Sequence, residues 1–225
     1  FHDDAKAFLR ILHDWDQWGM CQVQMNILDD ENQATLEGIR EAGRRGVGVV
    51  VMEPLRGGLL ANPPVDVKAV YDAYAVQRSP VEWGFRYLYA MPEVITILSG
   101  MSTWAQVTDN LRIFDMAKRP TLTDEELALY QKVKATYLAR TKTRCTGCKY
   151  CQPCPMGVQI PRIFQGYDAA MLRADSSFKA GYAQIQADHA DASQCIHCRK
   201  CERACPQHLP ITRFLEEIHA ASAAE

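Results

Sequence analysis

The chain has 225 residues, of which 48% are apolar, and its 25 basic and 27 acidic side chains leave a formal net charge of −2. The length is that of one large or two modest domains, and the apolar content is enough to build a core. The near-neutral charge argues against nucleic acid or an anionic membrane as the main partner, and no apolar run approaches the roughly 20 residues that span a bilayer.

The first predicted elements are a helix, a strand and a second helix. Residues 1–18 place apolar side chains at helical spacing, which predicts an amphipathic helix capped by Asp3 or Asp4. The apolar run at 20–28 predicts a short buried strand. Asn32 then stands where the N-cap of a second helix is expected.

Two more strands and three capped helices follow. The β-branched runs at 47–52 and 94–98 are typical of strands buried in parallel sheets. Ser79 precedes a proline, and Thr103 and Thr123 each have Gln or Glu three residues later, so each predicts a helix N-terminus. The alternation predicts a parallel sheet with crossover helices. Because three strands cannot close a barrel and the chain does not begin with methionine, we expect an upstream part.

The composition changes at the short basic segment 139–145, beyond which no strand-like run occurs. We therefore predict an α/β domain over residues 1–139 and a small helical domain over 140–225.

Eight of the nine cysteines fall in two short runs, whereas Cys21 stands alone in an apolar stretch typical of a core. No signal-type segment opens the chain, so we expect a reducing compartment, the cytoplasm. Clustered thiols in such a compartment are more typical of a metal site than of a disulfide. The predicted metal ligands are Cys145, Cys148, Cys151, Cys154, Cys195, Cys198, Cys201 and Cys205.

The second cysteine run, C-x2-C-x2-C-x3-C-P, has the spacing of bacterial ferredoxins, in which the fourth cysteine of each run binds the other [4Fe–4S] cube. The first run is one residue shorter in its last gap. By this pattern one cube takes Cys145, Cys148, Cys151 and Cys205, and the other takes Cys195, Cys198, Cys201 and Cys154. The alternatives are four-thiolate zinc sites, for which the third cysteine of each run is surplus, and disulfides.

The spacer between the two runs has a helical pattern, so the domain resembles an α-helical ferredoxin. Five cations stand beside the predicted ligands and serve either to offset the charge of a thiolate-bound cube or to guide an acidic electron partner. They are Arg144, Lys149, Arg199, Lys200 and Arg203.

Two segments of the first domain have the composition of anion-binding loops. The glycine-rich EPLRGGLL at 53–60 follows a predicted strand, although an ordinary turn explains it as well. In LSGMSTWAQVTDN at 98–110, a strand end, a glycine, two hydroxyls and a helix N-terminus coincide. That combination points amide groups and the positive end of a helix dipole at an anion such as phosphate.

Together the two halves resemble one family. The segments CQVQMNILD, VGVVVMEPLRGGLL and VEWGFRYLYAMPEVITILSGMSTWAQVTDNL, followed by CTGCKYCQPCPMGVQIP and CIHCRKCERACPQHLPI, are similar to aldo-keto reductases that carry a C-terminal ferredoxin domain with [4Fe–4S] clusters. The resemblance implies the C-terminal part of a (β/α)8 barrel, with the site at the carboxyl ends of the strands.

The resemblance also implies a nicotinamide site. Gln22 matches the glutamine that contacts the carboxamide, and Met52 stands where many members have a stacking tyrosine. The pyrophosphate loop and the segment that holds the adenosine end match Pro54, Leu55, Gly57, Gly100, Ser102, Thr103, Gln106 and Asn110. No arginine or lysine lies within that last segment, so the choice between NADP and NAD stays open.

The family's catalytic tyrosine, aspartate, lysine and histidine belong to barrel strands that this chain does not contain, so we assign no catalytic residue and expect the chain alone to be inactive. The resemblance implies an oxidoreductase that transfers hydride between NAD(P)H and a small carbonyl or alcohol, with a redox protein as a further partner. The alternative is an electron-transfer protein in which the barrel is a scaffold.

Overall fold

The computed structural model describes residues 1–115, 119–145 and 147–223, and it separates the chain into two units, residues 1–135 and 136–225. The first unit contains β1 (Met20–Gln24), β2 (Gly48–Met52), β3 (Val94–Ile97), α1 (Ala5–Asp14), α2 (Thr35–Arg44), α3 (Val65–Asp72), α4 (Pro80–Tyr89), α5 (Trp104–Phe114) and most of α6 (Asp124–Arg140). The second contains α7 (Ile160–Arg173), α8 (Ser177–Ala187), α9 (Lys200–Ala204) and α10 (Ile211–Ala223). Short 3-10 turns occur at Leu59–Ala61 and Ala192–Gln194.

The three strands form one parallel sheet in the order β1-β2-β3. Met20 pairs with Gly48 and Gln24 with Met52, whereas the β2–β3 register is irregular between Val49 and Val50. The middle strand is covered on both faces, as its β-branched composition predicts. The predicted parallel sheet with crossover helices is therefore confirmed.

Four predicted helix starts are confirmed by their capping hydrogen bonds. Asp4 accepts from the amide of Ala7, and Ser79 accepts from the amide of Glu82. Thr103 forms a capping box with Gln106. At the start of α6 the Glu126 amide donates to Thr123 Oγ1, and the Thr123 amide donates to Glu126 Oε2, both at 3.2 Å. These bonds satisfy amides that have no partner within the helix.

Three predictions are corrected. The first helix covers Ala5–Asp14 rather than 1–18, and the first strand ends at Gln24 rather than at 28. The strand ends early because the Asn26 side chain accepts from the next amides and closes a turn. Asn32 is not the N-cap of a helix. Helix α2 begins at Thr35, its N-cap residue is Ala34, and no side chain caps it. Helix α3 was not expected.

The second unit is built from helices, as predicted, and its interior is apolar. The unit's buried side chains include Ile163, Phe164, Tyr182 and Leu215, and five of the clustered cysteines pack against this core. The predicted domain boundary at 139/140 and the observed division at 135/136 both fall within α6. In the described part of the chain no helix is both long and apolar enough to cross a bilayer.

Candidate cofactor and metal sites

A cavity of about 750 Å³ lies where β2 and β3 end. The loop after β2, the segment after β3 and the first turns of α5 line it. Because the carboxyl ends of parallel strands meet at one edge of a sheet, these separate segments are brought together there. Seven of the ten residues predicted to bind the nicotinamide cofactor line this cavity: Met52, Pro54, Leu55, Gly57, Gly100, Gln106 and Asn110.

The other three predicted cofactor residues lie next to the cavity lining. The side-chain nitrogen Nε2 of Gln22 is 3.6 Å from Met52 Sδ, so this side chain on β1 contacts the last residue of β2. The amides of Ser102 and Thr103 donate to Gln106 Oε1 at 2.8 and 3.1 Å. These two amides are therefore already bonded, and an anion at this helix end would have to meet other donors.

The loop after β2 has an unusual backbone. Glu53 and Arg56 have φ values of 55° and 49°, in the left-handed region that non-glycine residues rarely occupy. The fully buried Asn26 holds this loop, because its Nδ2 donates to the Glu53 carbonyl at 3.0 Å and to Asp29 Oδ2 at 2.9 Å. Asp29 also pairs with Arg56 at 3.4 Å. The turn that ends β1 thus fixes the loop after β2.

The cavity has acidic rather than basic charges. Glu53 and Asp109 are its charged lining residues, and Arg112 binds Asp109 Oδ1 at 2.9 Å from outside the lining. Asn110 donates to Ser99 Oγ at 2.9 Å and so holds the end of β3. Sequence reasoning missed Glu53, Asp109 and Ser99, although all three lie within the two segments that it singled out.

The clustered cysteines line two cavities in the second unit. The first, cysteine cavity 1, has a volume of about 20 Å³ and is lined by Cys145, Cys148, Cys151 and Cys205. The second, cysteine cavity 2, has a volume of about 160 Å³ and is lined by Cys151, Cys154, Cys195, Cys198 and Cys201. The linings therefore group the cysteines in the two exchanged sets expected from their spacing, with Cys151 at both.

The two cysteine runs begin two structural repeats, residues 145–173 and 195–223. Equivalent positions have left-handed backbone in both repeats: Gly147 and His197 (φ 73° and 56°), Lys149 and Arg199 (64° and 55°), and Gly157 and His208 (73° and 52°). The amides of Gly157 and His208 donate to the carbonyls of Cys154 and Cys205 at 3.0 and 3.1 Å. Helices α7 and α10 follow at the same distance from these turns.

The donor set fits a group bound by thiolates. All nine cysteines are free thiols, so each clustered sulfur can bind a metal. Burial is the largest cause that raises the pKa of the Cys145 thiol, and it raises the pKa values of Cys151 and Cys201 to about 11. A bound metal displaces these protons. Among the described residues, no three histidine, cysteine, aspartate or glutamate side chains converge on a single-ion site.

Buried polar side chains hold the start of each cysteine run. The Asp168 carboxylate on α7 accepts from the amides of Lys142, Thr143 and Arg144 at 2.7–3.2 Å and from the Thr143 hydroxyl at 2.7 Å. Before the second run, the Tyr182 hydroxyl on α8 accepts from the Ala192 amide at 3.1 Å and contacts His219 Nδ1 at 2.9 Å. The sequence does not reveal these partners, because each lies ten or more positions away.

Comparisons with known proteins identify a family for each part of the chain. Residues 4–135 match the model of the aldo/keto reductase family, and residues 144–209 match that of a 4Fe-4S dicluster domain. The chain belongs to the aldo/keto reductase family, and the second match makes its C-terminal part an iron–sulfur domain. These two assignments confirm the family that the sequence segments resemble.

Solved structures of the same family are similar to part of the chain. The holo form of aldo-keto reductase AKR11C1 from Bacillus halodurans is 27% identical with a TM-score of 0.40, and the match covers 50% of this chain and 41% of that one. For the apo form the identity is 25%, the TM-score 0.44 and the coverage 55% and 47%. This chain therefore spans less than half the length of these relatives. No curated protein matches it.

Proposed function

We propose that this chain belongs to an iron–sulfur oxidoreductase that transfers hydride between a nicotinamide cofactor and a small carbonyl or alcohol. The observation that carries the proposal is the cavity at the ends of β2 and β3, which gathers seven of the ten residues expected to bind the cofactor. In this proposal the first unit is the C-terminal part of a (β/α)8 barrel, and the catalytic tetrad belongs to other strands of that barrel.

Each side of the cavity has its own part in binding the cofactor. Gln22 in the middle of β1 contacts Met52 at the end of β2, and these two side chains would hold the nicotinamide end. The loop that Asn26 fixes would hold the pyrophosphate, and the segment around Asn110 would hold the adenosine end. Because Glu53 and Asp109 are the charged lining residues, a 2′-phosphate would meet negative charge, and we expect NAD to bind more tightly than NADP.

The second unit would hold two [4Fe–4S] clusters. Cys145, Cys148, Cys151 and Cys205 would bind one cluster, and Cys154, Cys195, Cys198 and Cys201 the other. The clusters supply one-electron chemistry, which the nicotinamide does not. The Gly147 amide donates to Cys145 Sγ at 3.4 Å, and hydrogen bonds of this kind stabilise thiolate charge and tune the reduction potential.

Fluorescence titration with NADH and NADPH tests the reductase half of the proposal on the full protein. Saturable binding, tighter for NADH, is the expected result, and the variant Gln22→Ala should weaken the binding of both nucleotides. A full-length protein that binds neither nucleotide would refute a nicotinamide enzyme.

One observation favours a second candidate, an electron-transfer protein whose barrel is a scaffold. Two backbone amides at the start of α5 already donate to the Gln106 side chain, and two carboxylates line the cavity. Fewer hydrogen-bond donors are therefore available to a dinucleotide than the segment pattern implies. This candidate predicts clusters that are reduced and reoxidised reversibly, with potentials unchanged by NADH, NADPH or a carbonyl substrate. Redox titration with and without these molecules separates the two functions.

A further inference from the structure

Cysteine cavity 2 opens onto a surface with three large exposed apolar side chains. Tyr150, Ile196 and Met156 line this cavity and are 68%, 60% and 41% exposed. Large apolar side chains cost free energy in water, and where several adjoin they mark a place where another molecule binds. Tyr150 and Met156 come from the first repeat and Ile196 from the second, so both repeats contribute to this surface.

Two cations adjoin the same apolar side chains. Arg199 and Lys200 line cysteine cavity 2 and point into solvent, with the Arg199 side chain 71% exposed. Glu202 lies 3.9 Å from Arg199, but its Oε1 accepts from the amide and hydroxyl of Thr212 at 2.9 and 2.7 Å. These bonds hold that carboxylate inward, so the outer charge of the surface is positive.

We call the surface formed by Tyr150, Met156, Ile196, Arg199 and Lys200 the cavity-2 face. Its composition is that of an interface centre, where aromatic side chains, methionine and arginine are enriched. Cysteine cavity 1 differs, because its apolar walls include Ile160, Phe164 and Ile211, which are 1%, 0% and 2% exposed. Among the described residues that line cavity 1, none is a large exposed apolar side chain.

We propose that the cavity-2 face docks a small acidic protein that carries a one-electron centre. This inference rests on the proposed clusters and assigns the exchange of electrons with a partner to the one held by Cys154, Cys195, Cys198 and Cys201. One electron passes from the reduced iron–sulfur domain to the partner's centre. The domain is oxidised by one electron, the partner's centre is reduced by one electron, and no bond forms or breaks. The positive charges attract an acidic partner, and the apolar side chains hold it close to the cavity. Small interfaces of this kind suit a partner that binds briefly and leaves.

The test measures binding rather than turnover. Oxidised bacterial flavodoxin, a small acidic protein whose flavin accepts single electrons, is titrated against the full protein by isothermal calorimetry at low and high salt. At low salt the double variant Arg199→Gln/Lys200→Gln should bind about tenfold more weakly than the parent. At high salt this difference should vanish, because salt screens exposed charges.

A second variant separates the apolar contribution from the charges. Ile196→Ser should weaken binding about fivefold at both salt concentrations, since burial of an apolar side chain does not depend on ionic screening. Lys179→Gln on α8 makes the same charge change as Lys200→Gln on a residue that lines neither cysteine cavity, and it should leave flavodoxin binding unchanged.

Three results would overturn the docking face: no saturable flavodoxin binding at low salt, equal binding by the double variant and the parent, or tighter binding of the basic protein cytochrome c. Iron content and the visible spectrum are recorded on every sample. A protein without cluster absorbance would refute the proposed clusters as well, whereas a loaded protein with any of the three results would refute the docking face alone.

Discussion

Single residues explain how the cysteine segments are held, and Asp168 is the clearest case. Asp168 is 7% exposed, and its carboxylate accepts from the amides of the three residues directly before Cys145. A side chain that bonds several backbone donors sets the path of the chain, and a neutral replacement leaves some of those donors unpaired. Asp168 therefore positions the first cysteines without contacting what they bind.

Replacing Asp168 with asparagine should destabilise the second unit by about 3 kcal/mol, since bonds to a charged acceptor are worth roughly 1.5–3 kcal/mol each. Iron and sulfide content should fall by well over half, because disorder in the first run also displaces Cys154, which lines cysteine cavity 2 beside the second run. The exposed Asp188 lies 3.8 Å from Arg162, and Asp188→Asn is the matched control. Full iron content in Asp168→Asn would contradict the positioning role.

Asp109 is the residue on which the choice of nucleotide should depend. Its carboxylate lines the cofactor cavity and repels a 2′-phosphate, with an interaction of about 1 kcal/mol for unit charges 4 Å apart in water. Asp109→Asn should therefore tighten NADPH binding about fivefold and leave NADH binding within twofold. Fluorescence titration of both nucleotides measures the change, and an equal change for the two would show that Asp109 acts only on the fold.

At the scale of elements, helix starts were predictable from the sequence because a cap and its partner lie within four residues of each other. Ser79, Thr103 and Thr123 all cap the helices expected of them. The prediction failed at Asn32, where the turn after β1 and its bonds to Asp29 and Asp30 set the start of α2 instead. The backbone bonds of this turn therefore override the capping signal.

The start of α6 joins a cap to a buried ion pair. Glu126, 4% exposed, accepts from the Thr123 amide and also binds Arg78 and Arg86 at 3.0 and 3.3 Å. Glu126→Gln should lower the free energy of unfolding by about 3 kcal/mol, because it leaves two largely buried guanidinium groups without their shared carboxylate. Thr123→Ala removes only the cap and should cost about 1 kcal/mol. Urea unfolding measures both, and equal losses would show that the ion pair contributes nothing.

For the whole molecule, the change in composition predicted the two-part organisation, and the cysteine spacing predicted the exchange of the fourth cysteine between the runs. Spacing grouped the eight cysteines by analogy with ferredoxins, and the cavities now show which side chains adjoin one another. The ligand sets remain a prediction until iron is measured in variants. The anchors Asp168 and Tyr182 could not have been foreseen, because nothing in the local sequence distinguishes them from other buried polar residues.

The two units offer separate optical signals. All four tryptophans, Trp15, Trp18, Trp83 and Trp104, lie in the first unit, whereas the clustered cysteines lie in the second. Removing iron with a chelator should unfold the second unit, since a bound metal group contributes folding free energy. The visible absorbance should disappear while the wavelength of maximum tryptophan emission stays constant. A red shift of that emission would show that the first unit depends on the clusters.

The exchange of the fourth cysteine between the repeats has a consequence for assembly. Cys205 of the second repeat lines cysteine cavity 1, and Cys154 of the first repeat lines cysteine cavity 2. If one cluster is missing, the repeat that should bind it is less ordered, and the cysteine that this repeat contributes to the other cavity is less well positioned. We therefore expect the two proposed clusters to assemble in an all-or-none manner. In cells short of iron the protein should accumulate as a bimodal mixture of full and empty molecules, and native mass spectrometry should detect few chains with four iron atoms. A dominant four-iron species would mean that each repeat matures alone.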